Sequence, residues 1–361
     1  MKRITVVPLG PQHPALLEPI HLKLSTHEEV VEDVELHIGY NHRGIERIME
    51  NDFKKNVHIS ERVCGICSHQ HSTAYCQALE SIMDIVVPLR ARFIRTIMSE
   101  LQRIHSHMLI IGLLADAIGY EHLFMQCWRD REIVMDVIQD ISGNRVHYSM
   151  NQVGGVRRDI DYDRVKNLGR ALDALEERFK DLDRILRRDR TFLSRTKGIG
   201  VLECRDARLY GAVGPVARAS DVPIDVRTTL AHEYAAYPLL RFTPVCEEDG
   251  DVWSRTIVRM GELFQSVDLI RQTIGQLRDG PIAERFKGKP DGEAFTRVEA
   301  PRGELVYYVK GVGTPVIDRV KIRTPTFMNI ASLRSMLLQA NLADVPGIVV
   351  SIDPCICCMD R

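Results

Sequence analysis

No stretch of the 361 residues is long and apolar enough to cross a bilayer, which takes about 20 largely apolar residues. The nearest approach, HMLIIGLLADAIGY, is interrupted by Asp116. The opening MKRITVVPLGPQHP has too short an apolar core for a secretory signal. A cytoplasmic protein is therefore expected, peripheral on the membrane only through partner subunits. An excess of either charge is also missing. Lys and Arg total 48 against 49 Asp and Glu, a formal net charge of −1, so the overall field selects neither nucleic acid nor an anionic surface. Repeats, low-complexity tracts and Gly/Ser linkers are absent, and a single domain over residues 1–361 is expected. The nine cysteines are an odd number in a chain without a signal. A disulfide framework is thereby excluded, leaving metal binding or redox chemistry as the reading for those that cluster.

What is present has clear periodicity. HLKLSTHEEVVEDVELHIGY alternates apolar and polar residues around a polar turn at 26–29, a β-hairpin pattern within an N-terminal β region at 1–60. From residue 61 to 290 the pattern is helical. In PLRARFIRTIMSELQRIHSHMLIIGLLADA, Ile94, Ile97, Met98, Leu101, Ile104 and Met108 recur at three and four residues, and Pro88 suits the first turn. Further helices are expected at 120–141, 161–188 and 249–278. Residues 291–361 read as a C-terminal α+β region: strands around EAPRGELVYYVKG, a helix at 326–339 and the apolar VPGIVVSID. The expected fold class is α+β and mainly helical, a central helix bundle with small β elements at both ends.

Two Cys-x-x-Cys pairs carry the chemistry: Cys64 and Cys67 in ERVCGICSHQH, and Cys355 and Cys358 in DPCICCMDR. Two intervening residues let both sulfurs face one point. Four thiolates suit soft metals, whether zinc, an iron–sulfur cluster, or nickel and iron together. A structural zinc ribbon places its pairs within about 20 residues, whereas Cys64 and Cys355 are 291 positions apart. Three cysteines in four residues at a chain end would oxidise readily if they held nothing. Cys76, Cys127, Cys204 and Cys246 are isolated and read as small apolar residues. Cys357 is a neighbour that the pair spacing leaves unused. His105 and His107 read as packed or hydrogen-bonded helix residues.

RVCGIC, with His71 four residues beyond the second cysteine, resembles the N-terminal motif of nickel–iron hydrogenase large subunits, and DPCICCMDR resembles their C-terminal motif. GPQHPALLEP and APRGEL look like segments of the energy-converting, group 4 branch of that family, nearest to its carbon monoxide-induced, CO dehydrogenase-linked type. ELQRIHSHMLIIG, DVIQDISGNRVHYSMNQVGGV and GPVARASDVPIDVR are also similar to the 49-kDa subunit of respiratory complex I. The resemblance spans nearly the whole chain and implies reversible 2H+ + 2e− ⇌ H2 at a Ni-Fe(CN)2(CO) centre. By that resemblance all four cysteines bind nickel, and Cys67 and Cys358 also bridge to iron. Glu18 is the proton relay, Arg302 the cation over the open metal position, and Asp353 the group that orients Arg302. His71 hydrogen-bonds the Cys358 sulfur, Asp116 joins the same polar canopy, and Glu46 stands where relatives hold magnesium.

No cysteine set is left for a [4Fe–4S] cluster, so a small subunit is expected to carry it. Ferredoxin-like and membrane ion-translocating subunits and maturation factors complete the implied partners, and no nucleic acid is among them. Many relatives have a histidine at the place, past the last cysteine with Met359 and Asp360 between, where this chain has Arg361, a poor magnesium ligand. The complex I subunit has lost the cysteines and carries a histidine-rich loop after its HP. This chain keeps all four and reads ALLEP there. A quinone-reactive subunit and a zinc-stapled scaffold are the alternatives.

Overall fold

Alternation makes the first element. In the computed structural model, which describes residues 4–14, 16, 18–229 and 234–361, β1 (Ile4–Leu9), β2 (His21–His27) and β3 (Val30–His37) form an antiparallel sheet in the order β1-β2-β3. Leu22, Leu24 and Thr26 point inward at period two along β2. Two short helices, α1 (Ile45–Ile48) and α2 (Asn56–Glu61), lead to the first cysteine pair. α3 (Ser68–Ile82) starts directly after Cys67.

The centre of the molecule is α4 (Leu89–Ala117), covered on nearly every side, which is the signature of a helix at the middle of a bundle rather than on its surface. Against it lie α5 (Glu121–Ser142) and α10 (Val252–Gln276), with α6 (Tyr162–Arg188) outside them. Asp161 and Asp251 cap α6 and α10 by accepting the N–H of Arg164 and Ser254. Between α5 and α6 a short hairpin pairs β4 (Asn151–Gln152) with β5 (Gly155–Val156), and between α6 and α10 the described residues include the short helices α7 (Arg190–Ser194), α8 (Cys204–Leu209) and α9 (Gly214–Arg218).

The C-terminal sheet pairs β6 (Asp291–Ala300), β7 (Gly303–Val312) and β8 (Arg319–Arg323) in that order, all antiparallel. α11 (Pro325–Asn329), α12 (Leu333–Leu337), α13 (Val345–Ser351) and α14 (Ile356–Asp360) follow. The single helix expected at 326–339 is broken at Ile330–Ser332. There the Asn329 side chain bonds both backbone groups of Val213, at 2.9 and 3.2 Å, and Ser332 bonds the Asn329 carbonyl at 2.6 Å. Polar side chains that satisfy backbone groups locally compete with a continuous helix. VPGIVVSID, unassigned from its pattern, contains α13.

Two apolar cores result. The larger lies among α4, α5, α6 and α10; the smaller lies between α3 and the β6–β8 sheet and includes all four paired cysteines. Buried charges tie the two together. Arg218 reaches Glu262 at 2.6 Å and Glu299 at 2.9 Å, Arg227 reaches Asp225 at 2.7 Å, and His107 meets Glu262 at 2.8 Å. Arg103 also donates to the Glu299 carbonyl at 2.8 Å. These contacts fix the end of β6 against α4, α9 and α10, and Arg302 stands in the turn immediately after that end.

Candidate metal centre

The two cysteine pairs, from opposite ends of the chain, meet. Cys64 Sγ lies 3.4 Å from Cys355 Sγ, and Cys67 Sγ lies 3.4 Å from Cys358 Sγ. Each of the four is at most 4% exposed. The sulfurs of Cys64, Cys67 and Cys358 fall within 4.8 Å of one another, a spacing at which three ligands can reach one ion. Each pair sits at the start of a helix that anchors it: Cys67 immediately precedes α3, and Cys355 immediately precedes α14, with Cys358 inside that helix. Hydrogen bonds from Cys355, Cys358 and Cys67 hold the Cys64 thiol well below the usual range, whereas burial pushes Cys358 well above it. The direction favours the thiolate at Cys64 within the set.

A fixed cation faces that charge. Arg302 Nη2 pairs with Asp353 Oδ1 at 2.7 Å, and its Nε donates to the Asp353 carbonyl at 2.9 Å. Burial opposes the guanidinium charge, but Asp353, Cys355, Cys64 and Cys67 together hold it well above its usual value. Arg302 Nη1 and Asp353 Oδ2 are both buried without a hydrogen-bond partner. Polar atoms so placed suit a bound group beside the sulfurs. Four converging thiolates, an adjacent cation and these free polar atoms fit a soft metal group carrying small polar ligands.

Glu18, half-buried, accepts the backbone N–H groups of Ile356 and Cys357, the latter at 3.0 Å. Burial raises its carboxyl above the usual range despite those bonds, and the negative Cys64 adds to the rise. A carboxyl that keeps its proton longer, between the sulfurs and the exterior, is suited to proton exchange. His71 Nε2 lies 3.5 Å from Cys358 Sγ, and its Nδ1 is 2.8 Å from the Tyr307 hydroxyl. Burial drives His71 to about 4 and Tyr307 well above its usual value. The neutral ring thus bridges the Tyr307 hydroxyl and the Cys358 sulfur, donating through one nitrogen and accepting through the other.

The sequence profile of the nickel-dependent hydrogenases matches residues 43–116. That of the respiratory-chain NADH dehydrogenase 49 Kd subunit matches residues 117–289 and 282–361. The carbon monoxide-induced hydrogenase of Rhodospirillum rubrum is 42% identical over 98% of this chain and 99% of its own length. The chain belongs to the family of energy-converting hydrogenase large subunits and complex I 49-kDa subunits. Membrane-bound hydrogenase subunit alpha of Pyrococcus furiosus is 39% identical over 98% of this chain and 87% of its own. In a solved structure of the membrane-bound sulfane sulfur reductase, an archaeal respiratory membrane complex, one chain matches with a TM-score of 0.94 and 31% identity. That match covers 100% of this chain and 99% of the other.

Three expectations change with the geometry, two of them carried from this hydrogenase family and one read from the isolated cysteines. Asp116 is exposed at the end of α4, because its position on the helix turns it outward, so it does not belong to the buried canopy. Glu46 is engaged by Arg361 Nε at 3.1 Å, Lys321 Nζ at 3.0 Å and the Ile322 N–H at 2.9 Å. Against the cost of burial, these donors keep its carboxyl below the usual range. Two cations already at one carboxylate do not suit a magnesium ion, and Arg361 supplies the charge instead. Cys204 and Cys246 are half-buried, unlike Cys76 and Cys127, which are fully buried.

The chain end does not fray because it is bound. Asp360 accepts the N–H of Gly39 and Asn41, and Arg43 spans the carbonyls of Arg62, Val63 and Cys357 at 2.8, 2.8 and 2.9 Å. Asn41 Nδ2 also donates to Cys357 Sγ at 2.9 Å, so the unused cysteine is engaged in holding the terminus. Tyr307 and Arg43 escaped sequence reasoning. A tyrosine in a strand and an arginine in a loop carry no local signal of a partner some 236 or 314 residues away.

Proposed function

We propose that this chain is the catalytic subunit of an energy-converting nickel–iron hydrogenase, catalysing 2H+ + 2e− ⇌ H2. The observation that carries the reading is the meeting of four cysteine sulfurs from both chain ends beneath the Arg302–Asp353 pair. Cys64, Cys67, Cys355 and Cys358 would hold the nickel–iron group, which supplies the redox chemistry of H2 when bound. The protein's own residues do the rest. Glu18 gives or takes a proton at its carboxyl, next to the Cys64 sulfur and toward the exterior. Arg302, immobilised by Asp353, offsets the thiolate charge and presents Nη1 to the pocket. His71 tempers the Cys358 sulfur by hydrogen bonding. A structural zinc site is closed by its four ligands and has no use for a buried cation with a free N–H or for a carboxyl with a raised pKa. A quinone site, in turn, has no need of four thiolates.

No helix among the described residues is long and apolar enough to cross a membrane. Membrane attachment and ion translocation are proposed to reside in partner subunits. A small subunit with a [4Fe–4S] cluster would pass the electrons, and reduced ferredoxin is the proposed donor, with H2 evolution the proposed direction. The deciding test is metal analysis and infrared spectroscopy on the complex purified with its partners. Nickel and iron near one each, after partner clusters are subtracted, with bands of bound CO and cyanide, are expected. Zinc alone without such bands would overturn the reading. So would reduction of sulfane sulfur without any H2 turnover, the chemistry named for the sulfane sulfur reductase.

A further inference from the structure

A cleft of about 600 Å³ opens between α2, the β4–β5 hairpin and the stretch 284–287 that leads to β6. Its walls are fixed. The Val156 N–H donates to the Ile282 carbonyl and the Glu284 N–H to the Gly154 carbonyl, both at 2.9 Å, so the stretch before β6 runs antiparallel along the hairpin. A Cβ on Gly155 would stand 2.2 Å from the Ile282 carbonyl oxygen, an approach that only glycine permits. Buried Arg95 clamps the hairpin: it pairs with Glu80 at 2.6 Å and donates to the Gln152 and Gly155 carbonyls at 3.0 and 2.9 Å.

Four exposed cations line this cleft, Lys54, Arg157, Arg285 and Lys287, and Glu284 is the one acid among the described residues lining it. None of the four has an ion-pair partner among the described residues. On α6, by contrast, surface charges pair: Arg164 with Asp161 at 2.7 Å, Lys180 with Glu177 at 2.7 Å and Arg187 with Asp183 at 2.8 Å. In a chain of net charge −1, this positive excess is a local feature. Lys54 is also held in place, its Nζ 5.6 Å from both the Phe53 and the Phe286 ring. The field is felt at His58 on the same cleft, where burial first, then Arg157 and Arg62, lower the pKa. Val57, Val153 and Phe286 add an apolar wall. The cleft has about twenty times the ~30 Å³ that one water occupies, more than a lone inorganic anion fills. We propose that it docks an acidic segment of a partner subunit, with Asp or Glu side chains at the four cations and an apolar side chain against Phe286. Charge matching of this kind selects the partner and speeds its approach. The inference rests on the reading of this chain as one subunit of a complex and is independent of the metal.

The test uses the intact complex. A carbodiimide joins a lysine amine to a touching carboxylate as an amide, itself taking up the water that is lost. Mass spectrometry should find Lys54 and Lys287 linked to carboxylates of a single partner peptide. The yield should fall roughly tenfold or more between about 0.1 M and about 1 M salt, as the screening length shrinks from about 10 to about 3 Å. No link at either lysine, or links to Glu284 of this chain alone, would overturn the proposal. So would loss of the links on adding inorganic phosphate at constant ionic strength, which would assign the cleft to a small anion. Lys54→Glu combined with Lys287→Glu alters two exposed side chains that make no hydrogen bond among the described residues, so helical circular dichroism should be unchanged. The partner carrying the linked peptide should then bind roughly tenfold or more weakly, and unchanged binding would overturn the proposal equally. A complex without nickel would refute the hydrogenase reading, while the cross-links would still decide what occupies the cleft.

Discussion

Replacing Glu18 by glutamine isolates its proton from its shape. The carboxylate oxygen that accepts the Ile356 and Cys357 N–H groups is retained as an amide oxygen. The loop around Cys355 and Cys358 should therefore keep its place, and the infrared bands of the bound group should not move. What disappears is a titratable group whose carboxyl is lifted by burial. A positioned general acid or base contributes about 10²–10⁴ in rate, or about 3–5 kcal/mol at 1.36 kcal/mol per decade. Glu18 is only half-buried, so water can replace part of its role, and the expected loss is near the lower bound, about a hundredfold. The assay is isotope exchange between H2 and D2O alongside donor-driven H2 evolution. Both should fall together in E18Q, with metal content unchanged. Exchange within about threefold of wild type, with full metal content, would refute the assignment of the relay to Glu18.

Gly214 adopts a left-handed φ of +65°, and a Cβ there would lie 2.3 Å from the Arg302 carbonyl oxygen and 2.4 Å from Gly303 Cα. Gly214→Ala should push the Arg302 turn away and reduce turnover on the order of 100-fold, as misplacement by about 1 Å does, with helical circular dichroism retained. Tyr307→Phe removes the hydroxyl that bonds His71 Nδ1 and should lower activity or metal retention about 10–100-fold, measured as nickel per protein after gel filtration. Glu299 is raised from its usual 4.5 to about 7, chiefly by burial and next by Asp225. The folded state thus holds a proton that the unfolded state has released. Its contribution is complete below about pH 4.5 and is lost as pH rises through about 7, on the order of 3 kcal/mol in all. Denaturant midpoints across that window should fall less steeply with pH in E299Q, and equal slopes would contradict the assignment.

The sequence by itself determined the chemistry of this protein and most of its elements. Cys-x-x-Cys spacing is a local property, and it announces two sulfurs facing one point whatever the rest of the chain does. The 3.6-residue period of α4 and the alternation of β2 are equally local, so both were legible. The breaks at Ile330–Ser332 were not, because they depend on Val213, which is 116 positions from Asn329. Asp116 was misplaced for a related reason: the resemblance puts a carboxylate on this helix, but a match along the chain does not say which way the helix is rotated in the bundle.

Only the tertiary structure decided that Tyr307 meets His71, that Arg43 reaches the Cys357 carbonyl and that Asn41 bonds the Cys357 sulfur. Each of these is a contact between segments far apart in the chain. Their partners are chosen by how the helical bundle packs on the C-terminal sheet, where burial makes every unpaired charge costly and so forces the few groups present to find one another.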